Sequence, residues 1–395
     1  MSLPLKCPSW GVQEGTFWGS PRMSPFEKNN VTDITHFPLR KGENMSRFLY
    51  SPIEAMEAYT PGEQPKDGVY IKLNTNESPY PPSPGVVARL KDSDIERLRL
   101  YSDPTCRSLR EALGREHGVD YTRVCPTNGS DEALAFAFMA YGRGGVCFPD
   151  ITYGFYPVFA ELYGCPMNVI PLRDDFTMDV DAMKAAKETL FIANPNAPTG
   201  IALPLDVIED IVKSDPDRVV VVDEAYVDFG GETAIPLTDK YDNLLVTRTY
   251  SKSRSMAGAR IGYAVAGDAI AADLDKLRYS TNPYNMDSLA LMLGTVASEE
   301  ADYYAANCKK IIDTREKLTK KLTDKGFEIL PSCANFIFVK YPGKNGSEIY
   351  ESLRERFILV RHFKSERIKD YLRVTIGTPE EMEKFYAAIC DITGV

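Results

Sequence analysis

The run Thr249-Tyr250-Ser251-Lys252-Ser253-Arg254-Ser255-Met256-Ala257-Gly258-Ala259-Arg260 sets a lysine among small hydroxyl residues and an arginine eight positions after it. A lysine that condenses with an aldehyde must shed its proton near neutral pH, which partial burial favours. Hydroxyls and a guanidinium take up a phosphate dianion through charge-assisted hydrogen bonds. These residue types suit a phosphorylated aldehyde held as an imine on Lys252. Upstream, Val219-Val220-Val221-Val222-Asp223-Glu224-Ala225-Tyr226 reads as a buried strand ending in a carboxylate. Such a carboxylate can pair with a ring nitrogen and keep it protonated. Taken singly, each feature has an ordinary reading, a solvated lysine and a turn-capping aspartate. Their conjunction is what points to chemistry.

These motifs and those below follow one another over roughly residues 50 to 392. In that order they resemble the pyridoxal-phosphate (PLP) dependent aminotransferases of fold type I, and within them the histidinol-phosphate aminotransferase family. The resemblance implies that Lys252 carries the cofactor aldehyde and moves a proton between substrate and cofactor carbons. It makes Asp223 the partner of the pyridinium nitrogen and Tyr226 a ligand of the ring hydroxyl oxygen. Lys276 and Lys309 are weaker rivals to Lys252, lying in helix-like charged segments without hydroxyl neighbours.

Phosphate binding is expected from several places. Asn128-Gly129-Ser130-Asp131-Glu132 opens a helix, where backbone amides and the positive dipole end favour anions, although the same pattern is also a plain N-cap. Gly129, Ser130 and Asp131 would act there with Thr249, Ser251 and Arg260. By resemblance, Tyr101 reaches the phosphate of the neighbouring subunit's cofactor, which makes a homodimer necessary for activity. Tyr153, in Thr152-Tyr153-Gly154-Phe155-Tyr156, matches the aromatic that stacks on the cofactor ring, with plain packing as its alternative. One motif departs from the family pattern: in Asn194-Pro195-Asn196-Ala197-Pro198-Thr199-Gly200 the asparagine that contacts the ring oxygen is replaced by Ala197. Either Asn196 takes over that contact or Tyr226 carries it alone.

For substrate, Arg373 and Arg361 each lie in an apolar strand-like run, where an arginine is costly unless an anion pairs with it. Tyr59 and Asn76 resemble N-terminal positions that line the substrate pocket, with turn and capping roles as alternatives. The expected partners are a small-molecule amino donor and a 2-oxo acid acceptor. The leading expectation, from overall similarity, is PLP-dependent transamination between L-histidinol phosphate and 2-oxoglutarate. Alternatives are an aromatic amino-acid aminotransferase, a threonine-phosphate decarboxylase, and an effector-binding module without catalysis.

These groups need a scaffold that brings distant stretches together. Strand signals at 145–148, 190–193, 219–222 and 244–246 alternate with helix signals such as Ser130–Phe138, which reads as a capped helix. Continuous β-branched runs between helices imply an α/β fold with a mainly parallel central sheet flanked by helices, and ligands gather at the carboxyl ends of such strands. From about residue 301 a long charged helix, two short strands and a final helix from Pro379 suggest a smaller α/β domain. The division expected is an irregular extension over 1–45, a large PLP-binding domain over 81–300, and a discontinuous small domain from 46–80 with 301–395. A short helix is expected over Ser51–Tyr59.

At 395 residues, 44% of them hydrophobic and 26% charged, the chain is long enough for about two such domains. Its net charge of -10 argues against a nucleic-acid partner. No run approaches the ~18 apolar residues of a membrane span, and the N-terminus lacks a signal-peptide core, so a cytoplasmic protein is expected. Eight cysteines without Cys-x-x-Cys pairs and three scattered histidines suggest reduced thiols and no metal site.

Overall fold

The structure is a computed structural model that describes residues 46–395 apart from Ala58 and Asp94. The expected extension over 1–45, with Cys7 and His36, lies outside the described residues. The strands are β1 (Ile71–Lys72), β2 (Val124–Asn128), β3 (Val146–Pro149), β4 (Met167–Ile170), β5 (Thr189–Ala193), β6 (Val220–Asp223), β7 (Leu244–Thr249) and β8 (Ile261–Ala266), followed by β9 (Glu328–Ile329), β10 (Phe336–Lys340), β11 (Ile358–Leu359), β12 (Arg361–His362) and β13 (Leu372–Thr375).

Seven of them form one sheet in the order β2-β8-β7-β6-β5-β3-β4. The run from β7 to β4 is parallel throughout, and β8 lies antiparallel to both its neighbours. The central strands are apolar and buried because both faces are covered. Val220 and Val222 enter one core with Ile192 and Val246. Val221 points to the opposite core with Phe191, Leu245 and Ala264. β6 and β7 run on to Asp223 and Thr249, so polar groups appear where the strands leave the sheet.

A smaller antiparallel sheet has the order β12-β13-β10-β9, and β1 pairs in parallel with β11 beside it. Its core gathers Leu73, Phe336, Ile337, Val374 and Phe385. The 23-residue helix Ala301–Thr323 serves two cores. Its Tyr304 packs with the large sheet, whereas Ile311, Leu318 and Leu322 pack with the small one.

Two local expectations differ from the structure. The first helix spans only Ser51–Ala55 and buries no residue, so no packed face offsets the cost of nucleation. The helix read as capped by Ser130 begins with Ser130 inside it, and Gly129 holds the cap position at φ 73°. No side chain caps its first turn, and Glu132 instead reaches back to accept the Asn128 N–H at the end of β2 at 2.7 Å. Of the cysteines within the described residues, all are free and all but Cys333 are buried. Among the described residues no helix is long and apolar enough to cross a membrane.

Candidate active site

The carboxyl ends of β6 and β7 open on a cavity of ≈ 180 Å³. Its wall carries Asp223 and Tyr226 after β6, with Thr249, Ser251 and Lys252 after β7. Register brings further groups to one corner. Asn128 pairs with Ile261 and Thr249 with Gly262, so the start of the helix Ser130–Tyr141 meets Arg260 just ahead of β8. The approach is close enough to exclude side chains. A Cβ on Gly129 would lie 2.4 Å from Arg260 Nη2, and one on Gly262 would lie 2.3 Å from the Gly129 carbonyl carbon. Ser130 and Arg260 therefore line the same cavity.

Lys252 is partly buried, and its Nζ donates to the Thr75 carbonyl at 3.0 Å. Burial, reinforced by the charge of Arg373, lowers its pKa to about 8, against the opposing pull of Glu77 and Asp131. Asp223 is 4% exposed. Burial, with the charge of Asp131, raises it to about 6, while donors from Tyr156 Oη at 3.3 Å, Thr247 Oγ1 at 3.3 Å and Ala225 N at 3.2 Å favour its ionised form. Tyr226 is buried, lies edge-on to Phe336, and accepts the Asn76 amide on its hydroxyl at 2.9 Å. Thr249 Oγ1 donates to Ser251 Oγ at 3.0 Å, and Arg260 Nη1 reaches that same oxygen at 3.5 Å. Asp131 accepts Tyr153 Oη at 2.7 Å and Arg260 Nη2 at 3.2 Å, which ties the tyrosine to the arginine corner.

Arg373 and Arg361 are cross-strand partners on β13 and β12. Like charges set opposite each other repel. Arg373 Nη2 donates to the Asn74 carbonyl at 2.9 Å, and its buried Nε has no partner among the described residues. Burial lowers its pKa, and Arg361 lowers it further. Among the described residues, Arg361 makes long hydrogen bonds, to the Pro61 and Thr60 carbonyls at 3.4 and 3.3 Å. Tyr59 stacks on Phe155 with ring centroids 4.2 Å apart.

Three expected positions lie off this cavity wall within the chain. Asn196 does not line the cavity. Its amide donates to the Ile151 carbonyl at 2.9 Å and to Thr199 Oγ1 at 3.0 Å, and its Oδ1 accepts from Thr152, so the loop spends this side chain on holding itself; Ala197 takes the wall position. Asn76 is likewise not on the wall. It is engaged by Tyr226 and by Thr375 Oγ1, at 2.9 Å each, and so links β13 to the tyrosine. Tyr101 is 82% exposed and stacks on Tyr284, with centroids 4.4 Å apart.

Sequence reasoning passed over three groups. Tyr156 bonds Asp223, and its neighbour Tyr153 was the only hint. Glu77 and Thr75 line the cavity, and their signal was a polar loop carrying a single carboxylate ahead of Pro79. Beneath the lysine loop, Arg248 is ion-paired with Asp228 and, at 3.8 Å, with Glu224; Asp228 is held down to about 2 because the Arg248 and Arg254 charges and the Ser253 hydroxyl outweigh its burial.

Lys252 and Asp223 share one cavity wall with the hydroxyl and arginine corner, and residues 69–389 match the class I and II aminotransferases. The chain is 49% identical over 356 residues to histidinol-phosphate aminotransferase 2 of Dechloromonas aromatica, covering 89% of this chain and 100% of that protein. It is 50% identical over 354 residues to the histidinol-phosphate aminotransferase of Marinomonas sp., covering 87% and 99%. The chain belongs to the histidinol-phosphate aminotransferase family. Its fold matches that of the Sinorhizobium meliloti histidinol-phosphate aminotransferase, solved in complex with pyridoxal-5'-phosphate, with a TM-score of 0.78 at 23% identity over 88% of this chain and 98% of that one.

Proposed function

We propose that this chain transfers an amino group between L-histidinol phosphate and 2-oxoglutarate with PLP as cofactor. The observation that carries the reading is the meeting of Lys252 and Asp223 on one cavity wall. The wall fits the cofactor on grounds of this chain alone. Gly129 and Gly262 let the helix start close directly onto Arg260 and β8, so that hydroxyls and Arg260 gather beside free helix amides on the cavity wall. PLP supplies an electron-accepting ring on which the amino group is exchanged.

In this reading Ser130, Thr249, Ser251 and Arg260 bind the phosphate and Tyr153 covers the ring. Asp223 holds a proton on the ring nitrogen. Tyr226 donates to the ring oxygen without help from Asn196, since Asn76 donates to the phenol oxygen and leaves its proton free to be given. Lys252, with a pKa near 8, exists partly as the free amine at neutral pH and takes the proton from the substrate Cα. Arg373 and Arg361 receive the substrate's phosphate or carboxylate, which relieves their mutual repulsion. The reading divides the chain into a cofactor-binding part over 81–300 and a smaller part from 46–80 with 301–395. It also takes the chain to be a homodimer. Exposed Leu98, Leu100 and Tyr101 form the face that a second copy would cover, with Tyr101 meeting the partner's phosphate.

Absorbance of the PLP-loaded protein tests the reading. The visible band of lysine-bound PLP should fall on adding L-histidinol phosphate and return on adding 2-oxoglutarate. A band unchanged in Lys252→Ala would remove Lys252 from its role, and a band that responds only to other amines would replace the substrate.

A further inference from the structure

Most polar side chains on the cavity wall have a role in the reading above, and Glu77 has none. It lies on the loop after β1, whose Thr75 carbonyl receives Lys252 Nζ. Its carboxylate accepts Lys72 Nζ on Oε1 at 2.7 Å and on Oε2 at 2.6 Å, and Thr75 Oγ1 on Oε2 at 2.7 Å. Against its partial burial, the bonds from Lys72 and Thr75 hold Glu77 below the usual carboxylate range, so it is charged at neutral pH. A carboxylate offers about four acceptor positions, and these contacts leave one open. Asp131 is engaged on both oxygens, by Tyr153 and by Arg260, within the corner that the reading assigns to phosphate. Asp223 is already bonded by three donors.

We infer that Glu77 is a specificity-determining residue that accepts a ring N–H from the substrate side chain and so selects an imidazole-bearing amine over one with a phenyl ring. The inference rests on the transaminase reading. Imidazole keeps an N–H donor in either tautomer and gains a second on protonation, whereas a phenyl ring has none. A charge-assisted hydrogen bond that one ring can make and the other cannot favours the amine that makes it. Lys72 and Thr75 hold the carboxylate in one orientation on the cavity wall.

The test compares kcat/KM of the holoenzyme for L-histidinol phosphate and for L-phenylalaninol phosphate, its phenyl counterpart. Both amines meet the same Lys252, so the ratio cancels any change that loss of the Glu77 charge causes at the lysine. The native enzyme should favour histidinol phosphate by roughly tenfold or more. Glu77→Met should abolish most of that preference, and Glu77→Gln, which keeps an acceptor, should fall between. The half-reaction with L-glutamate reports whether each variant retains a working site. Equal losses on both amines, or an unchanged ratio, would overturn the inference. So would a native enzyme indifferent to the two rings, whatever the folding of the variants. A native enzyme that uses glutamate and neither amino phosphate would fail the parent reading instead.

Discussion

Asp223 and Arg373 are both charged groups withdrawn from water, and their surroundings differ. Asp223 ends a central strand of the large sheet and receives hydrogen bonds from Tyr156, Thr247 and Ala225. Arg373 lies in the small sheet with one carbonyl partner, an unpartnered Nε, and another arginine across the ladder. In the proposed function the first faces a cofactor that stays and the second faces substrates that come and go. Groups that meet a permanent partner are fixed beforehand, which is how electrostatic preorganisation works. Groups that meet an exchanging ligand keep donors unspent, and the cost of leaving them so is returned on each binding event.

The contrast can be broken in three ways. The largest effect belongs to the permanent side. Lys252→Ala should reduce transamination by about 10³-fold or more, and mixing it with Tyr101→Phe chains should restore activity in hybrid dimers with one intact site. No recovery in demonstrated hybrids would remove Tyr101 from the partner's site. Next, Arg373→Lys keeps the charge and loses the fork, so kcat/KM for the amino phosphate should fall by about 10–100-fold, with the spectrum of bound PLP unchanged. A change in that spectrum would show the two sides to be less separate than described.

The smallest effect concerns stability of the PLP-free protein. Asp223 has a folded pKa of about 6, above the ordinary 3.8, so the folded state binds the extra proton between those values and stability is lost as pH rises through them. A neutral Asp223→Asn should therefore make the PLP-free protein more stable at pH 8, by on the order of 1–3 kcal/mol, and leave it near the native value below pH 4. Urea midpoints at the two pH values measure this. Equal midpoints at pH 8 would mean that Tyr156 and Thr247 already offset the burial in full.

The permanent side is also the more legible in sequence. Val219–Val222 followed by Asp223 is local information, since a buried strand must end and its polar terminus falls at the edge of the sheet. Lys252 among hydroxyls is local as well. The other groups depend on contacts across long separations. Asn196 turns inward because Ile151 offers it a carbonyl from 45 residues away, and Asn76 is claimed by Tyr226 across 150 residues. Neither partner can be read from the loop that carries the asparagine. Glu77 escaped notice because a lone carboxylate in a Thr/Asn/Ser loop resembles a turn residue until Lys252 is folded against it. The first helix was over-read because spacing reports which face would be apolar, not whether anything covers it.

The helix Ala301–Thr323 adds a mechanical consequence. At 1.5 Å per residue it is a strut about 34 Å long, anchored near one end by Tyr304 and along the rest by Ile311, Leu318 and Leu322. Because it is continuous, the small sheet cannot swing freely on a flexible joint. Any rotation of that sheet over the cavity loads the strut in bending, and close-packed side chains at both anchorages resist the bend elastically. Displacing Arg361 and Arg373 relative to the large sheet would therefore bend this helix, and the packing at both anchorages opposes the bend.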